Sequence, residues 1–361
     1  MTEFLLLAGT ALAGWLIVTV TVPFLERFCR RRNLLDQPSP RKIHTRATPR
    51  LTGISLFVAL WGTVVLFSII FPQYFTEVRI HAAIILIGAA LTLLLGIIDD
   101  LRPLSAAMKL SVQLCVGGLL WLQGLGFAQL WIPFVGGIDL GLLSLPVTLV
   151  WFLALVNSVN LIDGLDGLAT ATSGMALLPL IWVSLTLALT PIWVAAAGLF
   201  GALVAFWRFN RPPARVFMGD CGSLSLGYFF AVVALLAPIK RFTALAFFVP
   251  LIAMLLPLAE SLLSIGRRSL ARSNPMGADM GHLHHRLMAR GWSANRVVIV
   301  YAVVTAIFGM FCVAFRYGNR RLLALVLGFF VLLLGAALGI ILRRELPSQV
   351  TGKTAGKGSG G

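Results

Sequence analysis

The string NSVNLIDGLDGLA, from Asn157 to Ala169, gathers two asparagines, two aspartates and two glycines where an apolar run meets water. Three more polar clusters sit at equivalent boundaries: Asp99 with Asp100, FMGDCGS around Asp220, and HLHHR from His282 to Arg286. Carboxylates grouped around glycine-rich turns suit a magnesium ion and phosphate groups, because hard oxygen donors hold the metal while small residues let backbone amides approach phosphate oxygens. Magnesium is therefore the expected cofactor, with manganese as a substitute, and a phosphorylated molecule the expected substrate.

Each cluster also has a plainer explanation to be weighed. Asp99 and Asp100 end an apolar helix, where the dipole's negative end makes two acids unfavourable by a few tenths to about 1 kcal/mol each, so a cation should compensate. Lys109, near the start of the next helix, either meets a phosphate or snorkels. Asp166 could cap a helix, yet one cap does not account for Asn157, Asn160, Asp163 and Asp166 together. Asp220 could also be a cap, but a carboxylate beside free amides at a helix N-terminus would equally bind magnesium and a pyrophosphate oxygen. Phe217 beside it offers a stacking face for a base. His282, His284 and His285 have no thiolate or carboxylate at zinc spacing, so with Arg286 they point to phosphate contact. In loop 26–50 the triplet Arg30 to Arg32 follows membrane topology, whereas Arg41, Lys42, His44 and Arg46 are assigned to anion binding.

These clusters need elements to hold them, and composition dictates what kind. Hydrophobic residues form 59% of the 361 and charged residues only 12%, too few to cover a soluble fold, so the lipid bilayer is the solvent. Apolar runs near the length of a span fall at about 4–25, 52–71, 80–98, 107–123, 145–159, 168–187, 191–207, 222–237, 243–263, 297–315 and 321–342. The expected fold is all-α and polytopic with about eleven transmembrane helices. The run at 145–159 is short, and 124–144 leaves room for a re-entrant piece. One transmembrane catalytic domain is expected over 1–346, followed by a flexible tail, 347–361. The first run lacks a basic start and a cleavage site, which marks it as a retained span.

Of the 29 lysines and arginines, 23 fall in loops after odd-numbered runs and 6 in the others. The positive-inside rule then puts the N-terminus outside and the C-terminus in the cytoplasm. All the polar clusters land on the cytoplasmic face, although the count ignored Asp, Asn and His. The net charge of +16 fits such loops and an affinity for anionic lipid, and without a soluble basic domain it excludes nucleic acid as a partner. Cys29, Cys115, Cys221 and Cys312 are scattered without a CxxC, which excludes a disulfide framework or zinc site. A transporter would want ionisable groups near mid-bilayer, but of thirteen acids only Glu260 falls clearly inside a run, near its cytoplasmic end.

Five strings in order, DQPSPRKIH…TPRLTG, DDLRPLSAAMKL, NSVNLIDGLDGLA, FMGDCGSLSLG and HLHHRL, resemble the polyprenyl-phosphate N-acetylhexosamine-1-phosphate transferase superfamily. The match spans about Asp36 to Trp292 and is closest to the branch that primes O-antigen, enterobacterial common antigen and wall teichoic acid. The resemblance implies transfer of a sugar 1-phosphate from a UDP-N-acetylhexosamine, UDP-GlcNAc by default, to undecaprenyl phosphate at the bacterial cytoplasmic membrane. It implies that Asp220 binds magnesium with Asn160 close by, that Asp166 and Phe217 hold the uracil, and that Asp99 and Asp100 serve the lipid-phosphate nucleophile and metal. Asp163 joins those two as catalytic, Asn157 goes with the nucleotide, and His282 to Arg286 would contact diphosphate and sugar. A phosphate monoester with a second pKa of about 6 is largely dianionic at neutrality, so Asp99 serves either as base or as orienting residue.

Two departures stand out. TPRLTG replaces a usual Gly-Gly pair, and HLHHRL resembles the priming branch rather than the muramoyl-pentapeptide transferases, which remain the nearest alternative. DGLDG superficially matches the start of the CDP-alcohol phosphotransferase motif, but no acid follows between Asp166 and Asp220, where two more would be required. A homodimer is compatible with all of this.

The charge division carries a topological prediction. Single cysteines at Ser39, Ser105 and Ser273 should be shielded from an impermeant thiol reagent in intact cells, and one at Gln73 should react. Labelling of the Ser105 or Ser273 position from outside would divide the acids and histidines between two faces.

Overall fold

The computed structural model describes residues 2–37, 47–132, 136–236, 258–259 and 283–316, together with positions 321, 325, 328 and 332. Its helices are α1 (Thr2–Arg31), α2 (Ile54–Ile70), α3 (Thr76–Leu101), α4 (Ala106–Leu122), α5 (Ser144–Ile162), α6 (Leu168–Thr186), α7 (Thr190–Asn210), α8 (Gly219–Leu236), α9 (Leu283–Ala289) and α10 (Ala294–Arg316). Seven segments are long and apolar enough to cross a membrane, and Ala106–Leu122 and Ala294–Met310 are shorter apolar helices. Among the described residues, then, nine of the expected runs are helical, eight of them within about four residues of their expected limits, while α1 continues past its expected end near 25 to Arg31. The run at 243–263 and most of that at 321–342 lie outside the described residues. The protein is a polytopic, helical membrane protein.

Between α4 and α5 the structure departs from the re-entrant piece for which the sequence left room. Strands β3 (Gln129–Ile132) and β4 (Gly136–Asp139) pair antiparallel, from Gln129 opposite Asp139 to Ile132 opposite Gly136. Glycines at 124, 126, 136 and 137 discourage a helix there, and Trp131, Ile132 and Ile138 suit a strand. A second, two-residue ladder pairs β1 (Leu35–Asp36) with β2 (Thr48–Pro49) and brackets residues 38–46, which lie outside the described residues.

Helix α8 is the centre of the bundle, with every residue from Cys221 to Leu235 buried. Helices α3 and α5 pack along it, and α2 lies against it near the Leu51–Gly53 turn. A β-carbon at Gly96 of α3 would stand 2.5 Å from Cys221 Cα, so only glycine allows that approach. Helix α7 packs on α1, α2 and α6, and α10 on α6. Helices α1 and α7 run parallel: Leu6 and Leu7 lie beside Trp193 and Val194, Arg208 stacks over Trp15, and Arg215 pairs with Glu26. Their closest approach sets Ala11 and Gly14 against Gly198 and Gly201, where small residues let backbones touch as they do within membranes. Several hydroxyls in these helices turn back to carbonyls one turn away, for example Thr92 to Gly88 and Ser225 to Cys221, which keeps those protons from facing hydrocarbon unpaired.

By packing, Met1–Gly318 forms one compact unit and Asn319–Gly361 a second. The expected boundary at 346 falls in the second, of which only Arg321, Leu325, Gly328 and Leu332 are described. In the first unit the end of α3, the start of α4, the end of α5, the start of α6, the end of α7 and the start of α8 all meet at one end of the bundle. Every described polar cluster singled out in the sequence lies there.

Candidate active site

The geometry of this end is set by Asp100. Its Oδ1 accepts the backbone N–H of Asp220 and its Oδ2 that of Cys221, each at 3.0 Å. The last turn of α3 thus caps the first turn of α8, and the acid that α3's dipole disfavours is matched to the positive end of another helix. Gly219 makes the join possible. Its φ is +67°, and a β-carbon there would come within 2.6 Å of Asp100 Oδ2 and 2.5 Å of the Arg50 carbonyl. From the other side Thr52 donates its hydroxyl proton to the Phe217 carbonyl at 2.6 Å, and Phe217 N–H donates to the Pro49 carbonyl at 2.9 Å. Arg50 itself is held by Asp36 at 2.6 Å.

Asp99 faces the other way. Its Oδ1 accepts the Leu104 amide at 2.7 Å, which closes the turn into α4, and its Oδ2 accepts Lys109 Nζ at 2.6 Å. The same ammonium reaches Asp220 Oδ2 at 3.0 Å. Lys109 is therefore the cation that the acids at the end of α3 require, and it joins α3, α4 and α8 at one point. Beside it on α5, Asn160 Nδ2 donates to Ser223 Oγ at 3.0 Å, placing that amide one turn from Asp220.

The DGLDG turn completes the site. Asp163 follows the last residue of α5, half-buried, and no hydrogen bond to its side chain occurs among the described residues. Burial and the neighbouring charges of Asp220, Asp100 and Asp166 push its carboxyl well above the usual carboxylate range. Asp166 caps nothing on α6; its Oδ2 accepts the Ala214 amide at 2.8 Å and ties the turn to the segment leading into FMGD. Gly167, at φ +72°, then lets the chain enter α6. His284 is fully buried and His285 stacks on it at 4.4 Å between ring centres. A β-carbon at Gly164 would lie 3.3 Å from His284 Nε2 and 3.9 Å from His285 Nε2, so both imidazoles sit against this turn.

Asp99, Asp100, Lys109, Asn160, Asp163, Asp166, Phe217, Asp220, His284 and His285 are thus brought to one end. Asn157 is placed one turn deeper. It exchanges amide hydrogen bonds with Gln113 of α4 at 2.7 and 3.3 Å and donates to the Leu153 carbonyl at 2.8 Å, which locks α4 to α5 beneath the site. Arg286 is described on α9, whereas Arg41, Lys42, His44, Arg46 and His282 lie outside the described residues. Gln113, Arg50, Thr52 and Asn210 also build this end of the bundle, although no motif in the sequence marks them. Asn210 accepts from Thr170 Oγ1 at 2.7 Å and donates to the Val216 carbonyl at 3.0 Å, holding α6, α7 and the Phe217 segment together. A lone amide in an apolar run, such as Gln113 in KLSVQLCV, is the signal that could have found such a residue.

Among the described residues no three of His, Cys, Asp and Glu form a ready-made metal cage. Magnesium asks for less, since it keeps waters and shares substrate phosphate oxygens with one or two carboxylates. The donor set fits it. Asp220, Asp163 and Asn160 supply hard oxygens, and Asp163 sits among the like charges of Asp220, Asp100 and Asp166.

The cap on α8 separates two roles for Asp100. If its oxygens serve α8, Asp100→Ala should lower the melting temperature in detergent, by an amount matching about 1–2 kcal/mol for a lost cap, along with activity. Wild-type melting with activity abolished would instead put Asp100 on the substrate.

A match to the family model described as Glycosyl transferase family 4 covers residues 82–237, from α3 to the end of α8. The chain is 33% identical over 302 residues to a Bacillus subtilis protein named probable undecaprenyl-phosphate N-acetylglucosaminyl 1-phosphate transferase, covering 83% of this chain and 82% of that one. It is 30% identical over 372 residues to the decaprenyl-phosphate N-acetylglucosaminephosphotransferase of Mycobacterium tuberculosis, covering 93% and 91%. A phospho-N-acetylmuramoyl-pentapeptide-transferase of Clostridium perfringens is 29% identical over 303 residues, 80% of this chain and 89% of that one. With these relatives along most of its length, the chain belongs to the polyprenyl-phosphate N-acetylhexosamine-1-phosphate transferase superfamily, glycosyl transferase family 4.

Proposed function

We propose that the protein transfers N-acetylhexosamine 1-phosphate, GlcNAc 1-phosphate by default, from its UDP-sugar to undecaprenyl phosphate, and that it does so at the cytoplasmic face of the bacterial inner membrane. The observation that carries this is the Lys109 ammonium shared by Asp99 and Asp220 at the bundle end where Asp163, Asp166 and Phe217 also gather. The names of the relatives from Bacillus and Mycobacterium support the donor and acceptor classes.

In this reaction an oxygen of the lipid phosphate attacks the β-phosphorus of the UDP-sugar. The bond from that phosphorus to the bridging oxygen breaks, and UMP leaves with the electron pair. Positioning and charge neutralisation supply most of such catalysis. Lys109 has three N–H donors and spends two on Asp99 and Asp220, which leaves one to draw in the lipid phosphate. Asp99 fixes the direction of that ammonium through its own tie to Leu104. Phe217, fixed on both sides of its peptide unit by Pro49 and Thr52, offers its ring to the uracil, and Asp166, tied to the Ala214 amide, lies on the same segment to meet the base. His285 stands by the DGLDG turn to meet the diphosphate and sugar, with the buried His284 packed against it. Asp220 with Asn160 and Asp163 would hold magnesium, which when bound offsets the charge on the diphosphate and departing phosphate oxygens.

Purified protein given undecaprenyl phosphate and a panel of donors tests the reading. Turnover of UDP-GlcNAc with release of UMP is expected; turnover of UDP-MurNAc-pentapeptide alone would move the protein to the peptidoglycan branch. Magnesium should be required, and Asp220→Ala should lose nearly all turnover while still folding. Retention of more than about a tenth of activity, a loss under about 1.4 kcal/mol, would remove Asp220 from the metal. Phe217→Ala should raise KM for the UDP-sugar more than it lowers kcat, since stacking is made in ground and transition states alike. An effect confined to the lipid substrate would place that ring elsewhere.

A further inference from the structure

At the end of the bundle opposite the carboxylates, a cavity of about 490 Å³ opens between α2, α3, α7 and α8. Its walls are apolar, with Leu60 and Val64 from α2, Ala82 and Leu86 from α3, Ile192 from α7 and Val233 from α8. The one cation lining it is Arg79, in the first turn of α3, exposed and without an ion pair among the described residues. The tightly packed α3 and α8, joined at Gly96 and Cys221 and again where Tyr228 donates to the Ile85 carbonyl at 2.7 Å, separate this cavity from the Lys109 side of the bundle.

In a bilayer such a groove is filled by hydrocarbon, and a guanidinium at its mouth selects what that hydrocarbon is attached to. A snorkelling arginine needs only water, which the exposed position already provides. The pairing of one cation with an apolar slot of acyl-chain dimensions is instead complementary to an amphiphile with an anionic head and a long tail. We propose that this groove binds one anionic phospholipid of the leaflet opposite the active site, its phosphate on Arg79 and one acyl chain along α2, α3, α7 and α8. Since α8 also carries Asp220 in its first turn, the bound chain steadies the helix that holds the reaction's carboxylate.

Native mass spectrometry of the purified full-length chain, titrated with phosphatidylglycerol, phosphatidylcholine or undecaprenyl phosphate, tests this without recourse to turnover. Failure of the transferase assignment would therefore leave the result untouched. The wild type should take up one phosphatidylglycerol ahead of phosphatidylcholine. Arg79→Gln, a change at an exposed side chain, should reduce that preference about fivefold, the order of one lost cation at a lipid phosphate. Ala82→Phe, which fills the slot and spares Arg79, should remove the site for both phospholipids. Equal preference in wild type and Arg79→Gln would overturn the proposal. So would undecaprenyl phosphate displacing the phospholipid in a manner sensitive to Ala82→Phe, because the slot would then belong to the polyprenyl chain. Should Ala82→Phe fail to fold, the Arg79→Gln comparison decides alone.

Discussion

The contact between Asp100 and the first amides of α8 is the constraint on which the rest of this site depends. A carboxylate at the C-terminal end of one membrane helix is disfavoured by that helix's dipole and by its poor hydration. Setting it on the N-terminal amides of a neighbouring helix offsets both effects in part, and it fixes where α8 starts. Because α8 is the buried centre of the bundle, its starting point sets the positions of Asp220, Ser223 and, through Ser223, Asn160. Gly219, Gly96 and Gly53 are the residues that let the surrounding backbones close on this join. The adjacent acid, Asp99, is then left pointing at Lys109, so two neighbours in sequence divide the work of building and operating the site.

Electrostatics explain why such a site is built at a membrane surface rather than inside it. Asp99, Asp100, Asp163, Asp166 and Asp220 share one end, and Lys109 is the amine that ion-pairs with two of them. Burial and these neighbouring charges push the Asp163 carboxyl upward. Substrates carrying a phosphate and a diphosphate would add negative charge, which a lone ammonium cannot balance. On the proposed function, a divalent cation would enter together with the anions. A site deeper in the bilayer could not tolerate the same excess between turnovers, whereas at the end of the bundle water screens it.

Much of this was legible in the sequence because membrane helices announce their limits. The span ends were readable from hydropathy, and the gathering of Asp99, Asp163 and Asp220 on one end followed from counting basic residues. What could not be read was direction. Asp99 and Asp100 are adjacent and alike, yet one serves a lysine and the other a helix terminus, a difference decided by the rotation of α3 against α8. Asn157 and Asn160 sit three residues apart on one helix, but only the second reaches the α8 terminus; the first pairs with Gln113, and nothing local in NSVN says so. Asp166 bonds to a peptide 48 residues away rather than to its own helix. The β3–β4 hairpin was hidden because a short glycine-rich segment between apolar runs resembles a loop or a re-entrant turn equally.

The same logic separates what a bilayer demands from what chemistry demands. The Ala11 and Gly14 contact with Gly198 and Gly201, the back-bonded hydroxyls and the Gln113–Asn157 amide pair satisfy lipid as solvent, since each removes an exposed polar group or an interhelical gap. The tie from Asp166 to Ala214 and the tie from Phe217 to Pro49 and Thr52 instead fix loop segments beyond the helix ends, with Thr52 and Pro49 buried there. Loops ordered by such specific ties are preorganised for a ligand. On that ground the segments 48–53, 163–167 and 210–220 are the candidate working surface, and the helices below them are the frame that holds it in register.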